Sequence, residues 1–172
     1  SPLAPGKSYI QTLSVTLPIG PSFAAGEYFI IAQADFSGVQ VESSEINNTT
    51  ISGPISLTMP PLPDLVVTDI VAPQETLSGG KIEITWTVTN RGQADAVGSW
   101  RDAVYLSSDQ TVGNDVGFGT FDFSGTIPAG QSIVRVQAIS LPITLSGQRW
   151  VVVHTDVGNQ LFEHTNEGNN AL

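Results

Sequence analysis

Residues 81–90, KIEITWTVTN, alternate strictly between apolar and polar side chains. Because successive side chains of a β-strand point to opposite faces of the sheet, this period of two predicts a strand with one buried face. The buried face would carry Ile82, Ile84, Trp86 and Val88. Residues 149–157, RWVVVHTDV, are instead almost continuously apolar, which is typical of a central strand.

Further strands are predicted between segments rich in Gly, Pro and Asn. They are PDLVVTDIVAP, WRDAVYLSS, GTFDFS and QSIVRVQAISLP. A long loop, DQTVGNDVGFG, separates the second from the third, and NQLFEHT would pair as a hairpin with residues 149–157. About seven short strands joined by turn residues predict an all-β fold, an antiparallel β-sandwich of the immunoglobulin type.

The chain also repeats itself, at a spacing of about 120 residues. LAPGKSYIQTLSVTLPI in residues 3–19 aligns with IPAGQSIVRVQAISLPI in residues 127–143, and AGEYFIIAQAD aligns with SGQRWVVVHTD. Each copy closes on an acidic, asparagine-rich stretch, ESSEINN in the first and EHTNEGNN in the second. Such self-similarity indicates immunoglobulin-like modules in tandem.

Residues 64–126 have no counterpart in the first copy. We therefore assign residues 1–59 to the C-terminal half of a first module, residues 60–63 to a Pro-rich linker and residues 64–172 to a second module. The first copy continues after its Asn-Asn ending with TTISGPISLTM, so we expect the second module to lack its last strand. We also expect both modules to be completed by neighbouring modules of the parent chain, or by another copy through strand exchange or fibre assembly.

Charge and composition exclude several classes of partner. The chain carries 16 acidic and 6 basic residues, a net charge of -10. Such scattered cations cannot track a phosphate backbone, so we expect no nucleic-acid partner. No apolar run approaches the roughly 18 residues of a membrane helix, so we expect no membrane insertion. The absence of cysteine excludes disulfides, thiolate zinc sites and cysteine nucleophiles.

Several segments together resemble the cell-adhesion-related domain found in bacteria, CARDB. They are PDLVVTDI, SGGKIEITWTVTNRGQADA, the PAGQS turn and VVVHTDVGNQLFEHTNEGNN, and the resemblance extends over residues 63–170. Residues 3–60 are similar to the latter half of the same domain. The resemblance implies immunoglobulin-like sandwiches in tandem, in large bacterial surface or secreted proteins that include adhesins and exported hydrolases. It implies a location outside the cell or on its surface.

The repeated ending is the main candidate for chemistry. It supplies oxygen ligands of the kind that calcium takes six to eight at a time. The candidate calcium ligands are Asp156, Glu163, Glu167 and Asn169 in the second copy, with Asn170 beside them, and Asp35, Glu42, Glu45 and Asn47 in the first. The same residue types also cap turns through their own side chains, so turn formation is the competing interpretation. Asn159 aligns with Gly38, which argues against a ligand role for Asn159.

A second oxygen-rich segment is the loop from Ser107 to Asp115. Asp109 and Asp115 are weaker calcium candidates there, with Asn114 between them. Their spacing lacks the alternation of ligands that an EF-hand requires. An exposed turn is the favoured interpretation, because Gly, Asn and Asp together are typical of turns.

The sequence contains no pattern that indicates catalysis. His154 aligns with Gln33 and His164 with Ser43, so neither histidine is repeated. The chain has no P-loop, no Gly-x-Ser-x-Gly elbow and no paired His-Glu metal motif. We therefore predict that the protein is not an enzyme.

The tryptophans argue against a sugar-stacking platform. Trp86 and Trp150 lie in predicted strands and should be core residues, which leaves Trp100 as the exposed tryptophan. One exposed ring does not make a platform. We predict a non-catalytic structural and adhesive module that acts as a spacer or stalk, with calcium as a candidate stiffener of its joints. The alternative is a carbohydrate- or protein-binding accessory module of a secreted hydrolase.

Overall fold

The computed structural model describes residues 3–110, 112–113 and 115–172. Strands dominate the described chain, in which the helical structure is a 3-10 turn at His164–Asn166. No helix among the described residues is long and apolar enough to cross a membrane. The predicted all-β class is confirmed.

The strands of the two copies differ in length. The first copy contributes four short strands: β1 (Gly26–Tyr28), β2 (Ile31–Gln33), β3 (Thr49–Ile51) and β4 (Ile55–Leu57). The second copy contributes six longer ones: β5 (Leu65–Val71), β6 (Lys81–Asn90), β7 (Ala96–Ser107), β8 (Val116–Ile127), β9 (Ser132–Ser140) and β10 (Trp150–His154). All of their pairings are antiparallel, as predicted.

Two three-stranded sheets face each other in the second module. One has the order β5-β6-β9 and the other the order β10-β7-β8. Their inner faces share one hydrophobic core, which includes Ile84, Trp86 and Val88 of β6 and Val104 of β7. All four of these side chains are fully buried. The alternation along residues 81–90 is thereby confirmed as a strand with one buried face.

Trp100 is buried, so the prediction that it is exposed is wrong. The strand β7 begins at Ala96, because Gly98 and Ser99 continue the ladder with β8 instead of forming a turn. The Trp100 ring packs on Phe123 across that ladder, with 4.4 Å between the ring centroids. The ring is therefore part of the core and offers no exposed stacking surface.

Two other boundaries differ from the prediction. β8 begins at Val116 and so includes residues that were predicted to lie in the preceding loop, because they pair with the end of β7. NQLFEHT forms a loop that leads into the 3-10 turn, and not a hairpin strand. The Asp156 carboxylate accepts the main-chain N–H groups of Gln160 and Leu161, which a hairpin ladder would otherwise use.

Residues 170–172 lie along the edge of β10 that faces away from β7. Val153 and Leu172 exchange two main-chain hydrogen bonds, of 3.0 and 3.1 Å. The Thr155 N–H donates to the Asn170 carbonyl at 2.9 Å. These bonds begin an additional antiparallel strand beside β10.

The first copy repeats this edge pairing without the rest of the sandwich. The Ala34 N–H donates to the Asn48 carbonyl at 2.8 Å, and β3 then pairs with β2. Residues 8–16 form no strand, although the matching residues 132–140 form β9. β9 pairs with β6, and residues 1–59 include no segment that matches β6. Apolar side chains there are consequently exposed, among them Ile10, Leu13, Val15 and Ile31.

A buried carboxylate connects the two sheets of the second module. Asp102 on β7 is fully buried, and its Oδ2 accepts the Trp86 indole N–H at 2.9 Å and an Arg135 N–H at 2.7 Å. Its Oδ1 accepts the Thr155 hydroxyl at 2.7 Å. The Arg135 guanidinium also lies 5.3 Å from the centre of the Trp86 ring. Both Trp86 and Arg135 belong to the opposite sheet, so the buried charge is paired across the sandwich.

Replacing Trp86 with Ala should destabilise the second module by about 3–5 kcal/mol, because the change opens a large cavity and removes a donor from Asp102. Urea denaturation followed by circular dichroism would measure the loss. Val97→Thr, at an exposed position of β7, is the matched control and should cost under about 0.5 kcal/mol. A loss below about 1 kcal/mol for Trp86→Ala would contradict its place in the core.

Asp102→Ala should cost about 3–5 kcal/mol, because it leaves the Arg135 charge without its buried partner. The double replacement Asp102→Leu with Arg135→Met should cost less than the single change, since it removes both charges together. Equilibrium unfolding of the two variants would measure the difference. If the double variant were the less stable one, the ion pair would not be the source of the loss.

Candidate functional site

β10 ends in a left-handed turn at Asp156. This residue has φ 44°, a conformation that Asp and Asn adopt more readily than other non-glycine residues. Its carboxylate accepts the N–H of Gln160 at 2.8 Å and of Leu161 at 2.9 Å. Its carbonyl accepts the N–H of Asn159 at 2.9 Å. The side chain and the main chain of Asp156 together hold the turn.

The first copy has the same turn. Asp35 has φ 39°, and its carboxylate accepts the N–H groups of Val39 and Gln40 at 2.9 and 2.8 Å. Gly38, with φ 62°, and Asn159, with φ 47°, occupy the same left-handed position. Gly and Asn are the residues that tolerate it best, which explains why one replaces the other in the repeat. In both copies this part of the acidic ending forms a turn.

Beyond the turn, Glu163 is buried against the start of β5. Only 2% of its surface is exposed. Its Oε1 accepts the N–H of Leu65 at 2.9 Å, a contact between residues 98 positions apart in the chain. The N–H of Glu163 donates in turn to Oε1 of Glu167 at 2.9 Å. These two bonds fix the acidic loop to the first strand of the module.

Four buried side-chain atoms of the described residues have no hydrogen-bond partner, and all four lie in this loop. They are Oε2 of Glu163, Oε2 of Glu167, and Oδ1 and Nδ2 of Asn170. Asn170 is only 1% exposed. Buried polar atoms are usually paired, because leaving one unpaired costs about 1–3 kcal/mol. We call Glu163, Glu167 and Asn170 the buried oxygen cluster.

The cluster perturbs its own titration. Burial raises the pKa of Glu163 from its usual 4.5 to about 8, and the charges of Glu167 and Asp156 add to this shift. The Leu65 N–H and the neighbouring Asn170 amide oppose it, although the Asn170 contact lacks hydrogen-bond geometry. Burial also raises the pKa of Asp156, and the backbone donors of its turn oppose that shift. Burial therefore favours the neutral, protonated form of these carboxyl groups.

A hydrogen bond joins two of the four candidate ligands of the second copy, Glu163 and Glu167. Asn169 is instead exposed and donates through Nδ2 to Oδ1 of Asp64 at 3.0 Å. Its neighbour Asn170 takes the buried position, a distinction that the paired asparagines of the repeat do not reveal. No three His, Cys, Asp or Glu side chains among the described residues form a group that could hold a metal. An ion in the cluster would therefore need the Asn170 amide as well.

The corresponding candidates of the first copy lie at the surface. Glu42, Glu45 and Asn47 are exposed, and Asp35 is half-buried. Oε1 of Glu45 accepts the Glu42 N–H at 3.3 Å, and its Oε2 accepts Nδ2 of Asn48 at 3.2 Å. The first copy therefore reproduces the loop without its burial, since residues 1–59 include no segment that matches β5.

Asp109 and Asp115 make contacts that are typical of turns. Oδ1 of Asp109 accepts the Ser107 hydroxyl at 3.0 Å, and the Asp109 N–H donates to the Ser107 Oγ at 3.1 Å. Oδ2 of Asp115 accepts the Gly113 N–H at 2.9 Å. Asn114 lies outside the described residues. These contacts favour the interpretation of the loop as an exposed turn.

Sequence reasoning missed one buried amide that organises the same end of the module. Asn90 is fully buried, and its Nδ2 donates to the carbonyls of Ala94 and Ile127 at 2.8 and 2.9 Å. Its Oδ1 accepts the N–H groups of Asp64 and Gly92 at 3.1 and 3.0 Å. Its position in the alternating pattern could have predicted this burial, because Asn90 lies on the same face of β6 as the apolar core residues.

Comparison with known proteins identifies the fold. The CARDB sequence profile matches residues 62–172. The chain belongs to the CARDB family. This is an adhesion-related, non-catalytic domain family, and the predicted resemblance is confirmed. No curated protein matches the chain.

The solved structures that are similar to it include two of one domain. The crystal structure of the CARDB domain of the Pyrococcus furiosus protein PF1109, in complex with di-metal ions, shares 19% identity at a TM-score of 0.48, over 64% of this chain and 83% of that one. The solution NMR structure of the same domain shares 20% identity at a TM-score of 0.47, over 64% of this chain and 89% of that one.

In EDTA, the stability of the CARDB domain should fall as the pH rises from about 6.5 to about 9. The folded-state pKa of Glu163, about 8 against a usual 4.5, means that folding retains a proton that is lost as the pH rises through 8. His154, whose pKa is lowered by burial, acts in the opposite direction only below about pH 6.5. Urea unfolding at several pH values would measure the slope.

Glu163→Gln should flatten this slope, because glutamine has the shape of the neutral acid and does not titrate. Glu45→Gln, the equivalent change in the first copy, is the control and should leave the slope unchanged. A slope that persists in Glu163→Gln would assign the pH dependence to another group.

Proposed function

We propose that the chain is a non-catalytic spacer of a large bacterial extracellular protein, in which the CARDB domain fixes the direction of the linker before it. The observation that carries this proposal is the docking of residues 62–64 on the domain. The Leu62 carbonyl accepts the N–H groups of Gln93 at 2.9 Å and Ala94 at 3.2 Å. Pro63, which follows, is buried. The linker is thus bonded to the domain before β5 begins.

Asp64 extends the docking to the acidic loop. Its carbonyl accepts the Arg91 N–H at 2.7 Å, and its N–H donates to Oδ1 of Asn90 at 3.1 Å. Its carboxylate accepts Nδ2 of Asn169 at 3.0 Å. The end of the linker is therefore held by the loop after β6 on one side and by the acidic loop on the other.

Gly92 allows the linker to approach this closely. A Cβ placed on Gly92 would lie 2.5 Å from the Pro63 carbonyl carbon and 2.6 Å from the Asp64 nitrogen. Side-chain carbon atoms do not tolerate such distances from a main chain, so any other residue would force the two segments apart. The close contact depends on a glycine at this position.

The linker contributes stiffness of its own. Residues 59–63 read MPPLP, and proline fixes φ near −65° and favours extended chain. A stiff segment with one docked end transmits the orientation of the domain to whatever precedes it. The strongly acidic composition favours solubility of such a spacer. A structural role of this kind agrees with membership of an adhesion-related, non-catalytic family.

The proposal predicts a narrow distribution of distances between the linker and the domain. The chain contains no cysteine, so Thr58→Cys and Ser140→Cys, both at exposed positions, give a unique pair of spin labels. Double electron–electron resonance should give a narrow distribution for this pair. Adding Gly92→Ala should broaden it, because the clash releases residues 62–64.

Gly53→Ala is the matched control, since a Cβ at Gly53 meets no atom within 4 Å. It should leave the distribution unchanged. A broad distribution in the labelled parent chain would refute the spacer role. A Gly92→Ala distribution as narrow as that of the control would refute the docking on which the role depends.

A further inference from the structure

We propose that the buried oxygen cluster binds one divalent cation, preferentially calcium, through Oε2 of Glu163, Oε2 of Glu167 and Oδ1 of Asn170. The three oxygens are buried, lack hydrogen-bond partners and belong to one loop. Carboxylates at a surface are hydrated by water and need no bound ion. Here two of the three side chains are at least 98% buried.

Main-chain donors orient the two carboxylates. Oε1 of Glu163 accepts the Leu65 N–H, and Oε1 of Glu167 accepts the Glu163 N–H, both at 2.9 Å. Each carboxylate therefore has one oxygen engaged by the backbone and one left over. This division resembles the supporting bonds of metal sites, in which a partner bond fixes the orientation of a ligand.

The two carboxylates lie on the same short loop as the buried Asn170. The Glu163 N–H donates to Oε1 of Glu167, which brings the two residues together. A bound divalent ion would offset the charge of two carboxylates at once.

The donor set selects a hard ion. The cluster offers carboxylate and amide oxygens, which suit calcium and magnesium, and the chain contains no cysteine to supply a thiolate. Magnesium retains several waters and demands a strict octahedron, whereas calcium accepts oxygens from an irregular loop and takes main-chain carbonyls and water to complete its shell. Calcium is therefore the better match for three buried oxygens on a loop without regular secondary structure.

A proton is the competing occupant. A proton on Oε2 of Glu163 could be donated to Oδ1 of Asn170, and this would pair two of the unpaired atoms. It would leave Oε2 of Glu167 and the donor Nδ2 of Asn170 as the two remaining unpaired atoms. A cation satisfies all three oxygens together, and the two occupants give different results with a neutral isostere of Glu163.

Calcium binding is independent of the spacer role. Only its effect on the stiffness of the joint rests on that proposed function. Glu163 holds the first N–H of β5 with one oxygen and would hold the cation with the other. Asp64, the residue before β5, is bonded to the same loop through Asn169. Calcium would therefore fasten the acidic loop at the place where the linker joins the domain.

The test is thermal unfolding of the full chain, first stripped with EDTA and then titrated with calcium or magnesium chloride. At about one hundred times the dissociation constant, calcium should lower the unfolding equilibrium constant about a hundredfold and raise Tm by roughly 10 °C. Magnesium should give a smaller shift. Calorimetric titration of the folded chain with calcium should give one site of matching affinity.

Variants distinguish the occupants. Glu163→Gln keeps an acceptor for Leu65, so it should fold, yet it should lose most of the calcium shift, as should Glu167→Gln. Glu45→Gln, in the exposed loop of the first copy, should retain the full shift. Circular dichroism would verify that each variant is folded.

Two results would overturn the proposal: a parent chain whose Tm and heats do not respond to calcium, and a calcium shift that Glu45→Gln abolishes. If the parent chain is insensitive and Glu163→Gln is more stable than the parent, the occupant of the cluster is a proton. Gly92→Ala separates this site from the spacer role. It should release the linker while retaining the calcium shift, because Gly92 lies outside the cluster.

Discussion

The sandwich depends on one carboxylate, that of Asp102. A charge that is fully buried is tolerated only when it is paired and hydrogen-bonded, and Asp102 meets this requirement with groups from β6, from β9 and from the residue that follows β10. Trp86 and Arg135 reach it from the opposite sheet, so the pairing fixes the register of one sheet over the other. Thr155 reaches it from the end of β10. The same bond therefore fixes the point at which the acidic loop begins, because Asp156 is the next residue.

The first part of the loop is held by hydrogen bonds between neighbouring residues, and its far part is held by a bond to β5. The carboxylate of Asp156 holds the turn through two neighbouring N–H groups, and the same turn forms at Asp35 in the first copy. The return to β5 requires tertiary structure, since Glu163 bonds a residue 98 positions earlier in the chain. The linker then docks on the closed loop. The geometry of the joint is thus a consequence of how the core is assembled.

The sequence allowed the core of β6 to be predicted because period-two alternation reports burial directly, and Trp86 lies where the pattern places it. It misled where local composition competes with tertiary pairing. Gly98 and Ser99 look like a turn but continue a ladder, so Trp100 is buried. NQLFEHT has the composition of a strand, but its N–H groups are taken by the Asp156 carboxylate. Asn170 is buried and Asn169 is exposed. Packing decides which of the two is buried, and two adjacent asparagines in a sequence do not reveal it.

The two copies separate the competing interpretations of the acidic ending. Turn formation and ion binding were alternatives for the whole motif, yet they fall on different residues. Asp35 and Asp156 form the turn in both copies, whether or not a sandwich covers them, so that role is local. The unpaired oxygens occur in the second copy, where β5 covers the loop, while Glu42 and Glu45 of the first copy remain exposed. The repeated motif therefore encodes its turn in both copies, whereas among the described residues the buried oxygen cluster occurs in the copy whose loop is bonded to β5.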